Sequence, residues 1–162
     1  MIPPSTTLME KKKNRLDDGR YLQVAALAYR VEHDDLQVLL VTSRRTRRWV
    51  LPKGWPIPGK TLPEAAKQEA WEEAGIKGHI QPEPVGCYFY QKNDMGKNKD
   101  KTGLFRVAVY ALAFSHQEKN WPECKERSLE WVSPEIAAAR VREPDLQKLL
   151  AAFPAYIAHK NP

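Results

Sequence analysis

The stretch GWPIPGKTLPEAAKQEAWEEAGI, Gly54 to Ile76, decides how the rest of the chain is read. Its centre is a helix. Thr61 followed by Glu64 is a capping-box pair, and Pro63 is tolerated in the first turn. Leu62, Ala65, Ala66, Ala70 and Ala74 give one small apolar face. Ala66, Ala70 and Ala74 fall at i, i+4 and i+8, so the spacing predicts close packing against a sheet. Gly75 is a stop signal, and Ile76 anchors the exit. Against this pattern Glu69, Glu72 and Glu73 are electrostatically out of place. Such neighbours repel by roughly 0.2–0.5 kcal/mol per pair, and they sit near the negative end of the helix dipole.

A hard divalent cation resolves the conflict. Mg²⁺ prefers oxygen ligands, and its charge turns the repulsion into attraction. No His or Cys lies nearby in sequence, which argues against zinc or copper. The preceding loop, PKGWPIPGK (52–60), is stiffened by Pro52, Pro56 and Pro58, while Gly54 and Gly59 let backbone approach a ligand. A carbonyl from this loop is a candidate extra ligand. Metal-bound carboxylates beside a basic surface favour phosphoryl or pyrophosphate chemistry.

Outward from the helix, YLQVAALAYRVE (21–32) and LQVLLVTSR (36–44) read as a hairpin turning at HDD (33–35). RWVLP (48–52) is a short strand running into the loop. PVGCYFYQK (84–92) and LFRVAVYALAF (104–114) read as buried strands around a polar loop (93–103), and SLEWVS (128–133) as a short strand. Residues 134–141 and 143–158 read as helices, the second interrupted near Pro154. Strands on both sides of one central helix, with helices at the end, predict an α/β (α+β) fold, in three layers α/β/α. Residues 1–18 are expected to be a flexible tail, and 19–160 one domain.

Bulk composition narrows the class. The chain is 42% hydrophobic and 28% charged, which suits a soluble globular domain. No apolar run approaches the roughly 20 residues of a membrane helix, so no membrane partner is expected. The N-terminus lacks the apolar core of a secretory signal. Cys87 and Cys124 form no C-x-x-C pair, and a reducing cytoplasm fits them. His33, His79, His116 and His159 show no zinc spacing. The net charge of +6, from 26 basic and 20 acidic residues, favours an anionic partner.

With these residues in view, Gly54–Ile76 resembles the Nudix box, G-x5-E-x7-R-E-U-x-E-E-x-G-U, where U is a bulky apolar residue. Gly54, Glu69, Glu72, Glu73, Gly75 and Ile76 match it. Lys60 replaces the first Glu of the box, Gln68 its Arg, and Ala70 is smaller than usual. In the family that Glu and Arg commonly pair to brace loop against helix. Here both are replaced together, which avoids leaving one unpaired, partly buried charge. Lys60 is then free to face substrate or to pair with Glu64.

The resemblance implies a Nudix α/β/α sandwich with a mixed central sheet over roughly residues 20–155. It implies Mg²⁺, or Mn²⁺, held by Glu69, Glu73 and the Gly54 carbonyl. Glu72 would complete the metal site or act as general base; some family members take the base from a distant loop. The implied reaction is hydrolysis of a phosphorus-containing anhydride, with water attacking a phosphorus of a P–O–P linkage.

VLLVTSR, RWVLPKGWP and LEWVSPEIA resemble the diphosphoinositol polyphosphate and diadenosine polyphosphate hydrolases, implying a polyphosphorylated small-molecule substrate. SRRTRRW (43–49) sets arginines before the catalytic loop, and guanidinium forks suit phosphate. The candidate substrate contacts are Ser43, Arg44, Arg45, Arg48, Lys53, Lys60 and Arg106. Ser43 and Arg44 correspond to phosphate contacts in the diphosphoinositol enzymes, whereas Gln23 stands where those enzymes often carry a basic residue. The arginines read equally as a solvated turn, and Lys97, Lys99 and Lys101 as a solvated loop or one that closes over polyphosphate. Tyr88, Phe89 and Tyr90 are core residues or a stacking surface, and Trp71, off the Ala face, is placed against a neighbouring strand. RNA 5′ ends or other nucleoside diphosphate derivatives are a second substrate reading. A third is a non-catalytic Nudix-fold module that binds a phosphorylated ligand or RNA, which the three repelling acids oppose.

Overall fold

The computed structural model describes residues 14–16, 18–92 and 103–160. Two long strands form its spine. β1 (Tyr21–Glu32) and β7 (Gly103–Gln117) run parallel, with Tyr21 opposite Phe105 and Tyr29 opposite Ala113. Apolar residues fill both faces of β1, as a strand covered on both sides requires. Val24, Ala26 and Ala28 face one core, and Ala25 and Leu27 face the other.

The remaining strands pair antiparallel around this spine, giving an eight-stranded mixed sheet. β2 (Asp35–Thr42) pairs with the end of β1 through the expected hairpin, with positive φ at His33 and Asp34. β3 (Trp49–Val50) and β8 (Leu129–Val132) flank β2. β4 (Lys53–Gly54) lies inside the stretch expected to be loop and pairs with Val24 and Ala25 of β1. β6 (Gly86–Lys92) lies along β7.

Helix α1 (Leu62–Ala74) covers one face. Its capping box is formed as expected, and Gly75 ends it with φ 68°. Ala65, Ala66, Ala70 and Ala74 are fully buried against the sheet. Helices α2 (Pro134–Arg140) and α3 (Pro144–Lys160) cover the other face through Ala137, Val141, Leu146, Leu150 and Phe153. The result is the expected three-layer α/β/α sandwich.

Three expectations are corrected. α3 runs unbroken through Pro154. That proline is exposed, while buried Phe153 and half-buried Tyr156 and Ile157 hold the helix to the core on either side of it. Residues after Gly75 form a strand, β5 (Ile76–Ile80), absent from the sequence reading. β5 pairs with the far end of β7, which therefore extends to Gln117 rather than ending at Phe114. A bulge at Lys77/Gly78 interrupts the pair, and there a side chain on residue 78 would overlap the Ala113 carbonyl.

Of the described residues among 1–18, Asn14 and Arg15 lie along β1, with Leu22 donating to the Asn14 carbonyl and Arg15 bridging to Tyr21, while Leu16 and Asp18 make the turn to Gly19 and Arg20. Residues 1–13 and 17 lie outside the described residues, as does the loop 93–102 with Lys97, Lys99 and Lys101.

Candidate active site

The end of α1 carries the acids. Glu73 is 4% exposed, and Glu69 and Glu72 are half-buried. The Glu69 carboxylate lies against the Cα of Gly54, in the space that a Cβ at that position would fill. Glu69 and Glu73 are within hydrogen-bonding reach of each other. The Lys53 N–H donates to Glu73 Oε2 at 3.2 Å, tying β4 to α1. Glu72 accepts from the Gln68 amide at 3.0 Å. Gln68, a departure from the box, thus orients a box acid.

Burial and crowding push both inner carboxyls well above the ordinary carboxylate range. For Glu69 burial is the larger cause, followed by the charge of Glu73. For Glu73 burial is again the larger, partly opposed by Arg127. The pair therefore binds protons in the fold more tightly than in the unfolded chain.

The segment from Gln117 to Ser128 supplies what the sequence reading missed. Its backbone and side chains satisfy the last carbonyls of α1, which have no partner within the helix. The Gln117 amide donates to the Ala74 carbonyl. The Glu118 N–H donates to the Gly75 carbonyl and the Glu123 N–H to that of Glu72. The Trp121 indole lies where a Cβ on Gly75 would be. This clamp brings Glu123 and Arg127 to the acids. Arg127, 10% exposed, sits 3.5 Å from Glu73 and 2.9 Å from Glu123. It also donates to the Thr42 carbonyl. A fourth acid and its counter-cation thus join the cluster. Their one local sign is the i, i+4 pairing of Glu123 with Arg127 ahead of β8.

The candidate basic residues divide into groups. Ser43 to Arg48 form a turn in which the Ser43 and Thr46 hydroxyls hydrogen-bond and Arg47 has positive φ. Arg44 reaches Glu123 at 3.8 Å and Glu126 at 3.4 Å, so it stands beside the acid cluster. Arg45 is exposed. Arg48 pairs with Glu143 at 3.0 Å. The Lys53 ammonium lies over the Tyr90 ring at 5.0 Å. Lys60 lines a separate groove of about 290 Å³ on the outer side of α1, with Glu64, Lys67, Gln68, Trp71 and Lys77. Arg106 is exposed on β7, and no ion pair or hydrogen bond joins it to the acids among the described residues.

Between the acids and α3 lies a polar and aromatic patch. Tyr90 stacks on Phe105 with centroids 4.9 Å apart and donates to Gln23, which is buried. Trp55 meets Phe105 edge-on, and Tyr88 is core. Phe89 lies under Arg20, and Trp71 under Lys77 of β5. Glu143 is 7% exposed, and its Oε1 has no hydrogen-bond partner among the described residues. An acceptor left so costs about 1–3 kcal/mol.

No three acidic, His or Cys side chains among the described residues converge on one point at ligating distance. The donor chemistry nevertheless fits a hard cation. Glu69, Glu73, Glu72 and the Gly54 carbonyl offer only oxygen, and Glu69 lies against Gly54 where only a glycine leaves room.

An α/β/α sandwich whose first helix delivers three glutamates to a glycine loop defines a class of hydrolases. The NUDIX domain profile matches residues 21–153, and the chain belongs to that family. It is similar to Nudix hydrolase 16, mitochondrial, of Arabidopsis thaliana, with 29% identity over 148 residues, covering 85% of this chain and 82% of that protein. It is 30% identical over 122 residues to human diphosphoinositol polyphosphate phosphohydrolase 3-beta, covering 74% and 68%. In fold it is similar to the crystal structure of C. elegans Ap4A hydrolase, with TM-score 0.59 and 20% identity over 84% of this chain and 97% of that one.

Proposed function

We propose that the protein is a Mg²⁺-dependent pyrophosphohydrolase cleaving a P–O–P linkage in a highly phosphorylated small molecule, of the diadenosine polyphosphate or diphosphoinositol polyphosphate type. The observation that carries this reading is the Glu69–Glu73 contact pressed against Gly54. A pair of buried acids is costly unless a cation or proton offsets it, and while Arg127 and Arg44 both meet Glu123, Arg127 is the one that reaches Glu73 among the ion pairs of the described residues. Relatives named for diphosphoinositol polyphosphate and Ap4A substrates support the substrate class.

Glu69, Glu73 and the Gly54 carbonyl would hold Mg²⁺, or Mn²⁺ in its place, with Glu72 beside them. Such a metal lowers the pKa of water and offsets charge on the transferred phosphoryl group. Glu72, oriented by Gln68, takes the proton from the attacking water. An O–P bond forms, the bridging P–O bond breaks, and the leaving phosphate carries the electron pair away. Arg44 stands beside the cluster to meet phosphate oxygens, and Lys53, whose backbone N–H binds Glu73 and whose ammonium lies over Tyr90, is assigned a second phosphate contact. We assign Ser43, Arg45, Arg48, Lys60 and Arg106 outer roles in binding the polyphosphate. The free thiols of Cys87 and Cys124 support a reducing compartment, and we place the enzyme in the cytoplasm.

The test is product release from diadenosine polyphosphates, diphosphoinositol polyphosphates, ADP-ribose and 5′-triphosphate RNA, with and without Mg²⁺. Turnover of one of the first two, abolished by chelator, is expected. No turnover of any substrate with Mg²⁺ or Mn²⁺ would overturn the reading.

A further inference from the structure

The outer face of α1 carries a pattern that the acid cluster does not use. Lys60, Glu64, Lys67, Gln68 and Trp71 recur at three- and four-residue spacings, which sets them in one stripe along the helix. At Gly75 the chain turns with φ 68° into β5 and brings Lys77 back over Trp71, its ammonium 4.3 Å from the ring centroid. With buried Ile76 these side chains line the groove of about 290 Å³. That volume stands at the lower end of small-molecule sites.

Charge and hydrogen bonding say what the groove suits. Three lysines there face one acid, which leaves two net positive charges. The acid is already engaged, since Glu64 Oε1 accepts from the Thr61 N–H in the capping box. Arg20, Arg44, Arg48, Arg127 and Arg140 each pair with a carboxylate. Lys60, Lys67 and Lys77 make no ion pair among the described residues. The Gln68 carboxamide gives one N–H to Glu72 at 3.0 Å and has a second to give. An ammonium donates and never accepts, so the groove is rich in donors and poor in acceptors. A phosphate group brings oxygens that only accept, and about two negative charges near neutral pH.

We propose that this groove is a second phosphate-binding site, distinct from the acid cluster, and that Gln68 is shared between it and Glu72. Lys67 and Lys77 supply the charge, Lys60 closes the end nearer the start of the helix, and the second Gln68 N–H meets a phosphate oxygen. One helical turn separates Gln68 from Glu72, about 5.4 Å along the axis. Phosphate in the groove therefore fixes the same carboxamide that orients Glu72. The site goes beyond the proposed function, because its binding needs neither metal nor turnover.

The experiment titrates inorganic pyrophosphate into the ¹⁵N-labelled full chain in EDTA, where the unneutralised acids repel the anion from the cluster. The Trp71 indole and Gln68 carboxamide resonances are followed by NMR, assigned with Trp71→Phe and Gln68→Leu. Both should shift together and saturate. The double variant Lys67→Gln, Lys77→Gln, checked for folding by its melting curve, should bind about ten-fold or more weakly. No saturable shift of these two resonances, or undiminished affinity in the double variant, would overturn the proposal. Should loss of Lys77 disturb Trp71, Lys67→Gln alone decides: it must weaken binding about three-fold or more, and unchanged affinity overturns the site. The source of the phosphate is then read with Mg²⁺ from kcat/KM for diadenosine triphosphate and pentaphosphate. A loss in the double variant that grows with chain length assigns the groove to the outer phosphates of the substrate. An equal kcat/KM in variant and wild type for both assigns it to a separate phosphate-bearing molecule. If no substrate turns over, the proposed function fails by itself, and the metal-free titration still decides this site.

Discussion

Glu69 occupies the space that a side chain on Gly54 would need. The loop glycine and the first helix acid of the box are thus one packed unit, and a change at either is felt at the other. The obstructing atoms belong to the end of a flexible side chain, so the fold can yield by moving the carboxylate. Gly54→Ala is expected to cost less than about 1.5 kcal/mol of stability. Turnover should fall on the order of 10²-fold, because a displacement near 1 Å at a reacting centre costs that much. Paired melting and kinetic measurements check this; a large loss of stability with turnover retained would contradict it.

The raised carboxyls of Glu69 and Glu73 set a pH dependence. The metal-free fold holds protons that the unfolded chain has released above its ordinary carboxylate range, so unfolding releases protons there and stability falls as pH rises. Between about pH 5 and pH 8 the metal-free melting temperature should decline, and the decline should be shallower in Glu69→Gln. Saturating Mg²⁺ should restore stability at the upper end, by about 2.7 kcal/mol when the metal stands at 100 times its dissociation constant. A melting temperature that ignores Mg²⁺ at pH 8 would count against the metal site.

Arg127 is the inner counter-cation. Replacing it with Met leaves Glu73 and Glu123 facing each other with less positive charge. Breaking a buried pair from one side costs about 3–5 kcal/mol, and protonation of Glu73 relieves part of it. Arg127→Met should therefore destabilise the metal-free protein by about 3 kcal/mol at pH 8 and by less at pH 5. Denaturant titrations at the two pH values test this. An equal loss at both would mean that the arginine acts through packing and its bond to Thr42 rather than through charge.

Local signals in the sequence revealed much of this architecture. The capping box at Thr61 and Glu64, the alanine face and the Gly75 stop each involve neighbours within a few residues, and all are formed. The acids were visible because they violate local electrostatics. Glu123 and Arg127 were not, since they reach the site only after a segment some fifty residues downstream folds back onto the end of α1. The Arg48–Glu143 pair spans 95 residues and left no local pattern. β5 was missed because IKGHI is short and contains Gly78 and Lys77; it becomes a strand through pairing with the far end of β7. Pro154 misled because its helix is held by tertiary packing around it rather than by intrinsic propensity.

The central claim is that Glu69 and Glu73 hold a divalent cation on which P–O–P cleavage depends. Its most direct test is turnover of diadenosine tetraphosphate against Mg²⁺ concentration, in wild type and Glu73→Gln side by side. The account predicts no turnover in chelator, saturable activation in wild type, and a loss on the order of 10²-fold or more in the variant. Turnover that persists in chelator, or a Glu73→Gln variant as active as wild type, would contradict it.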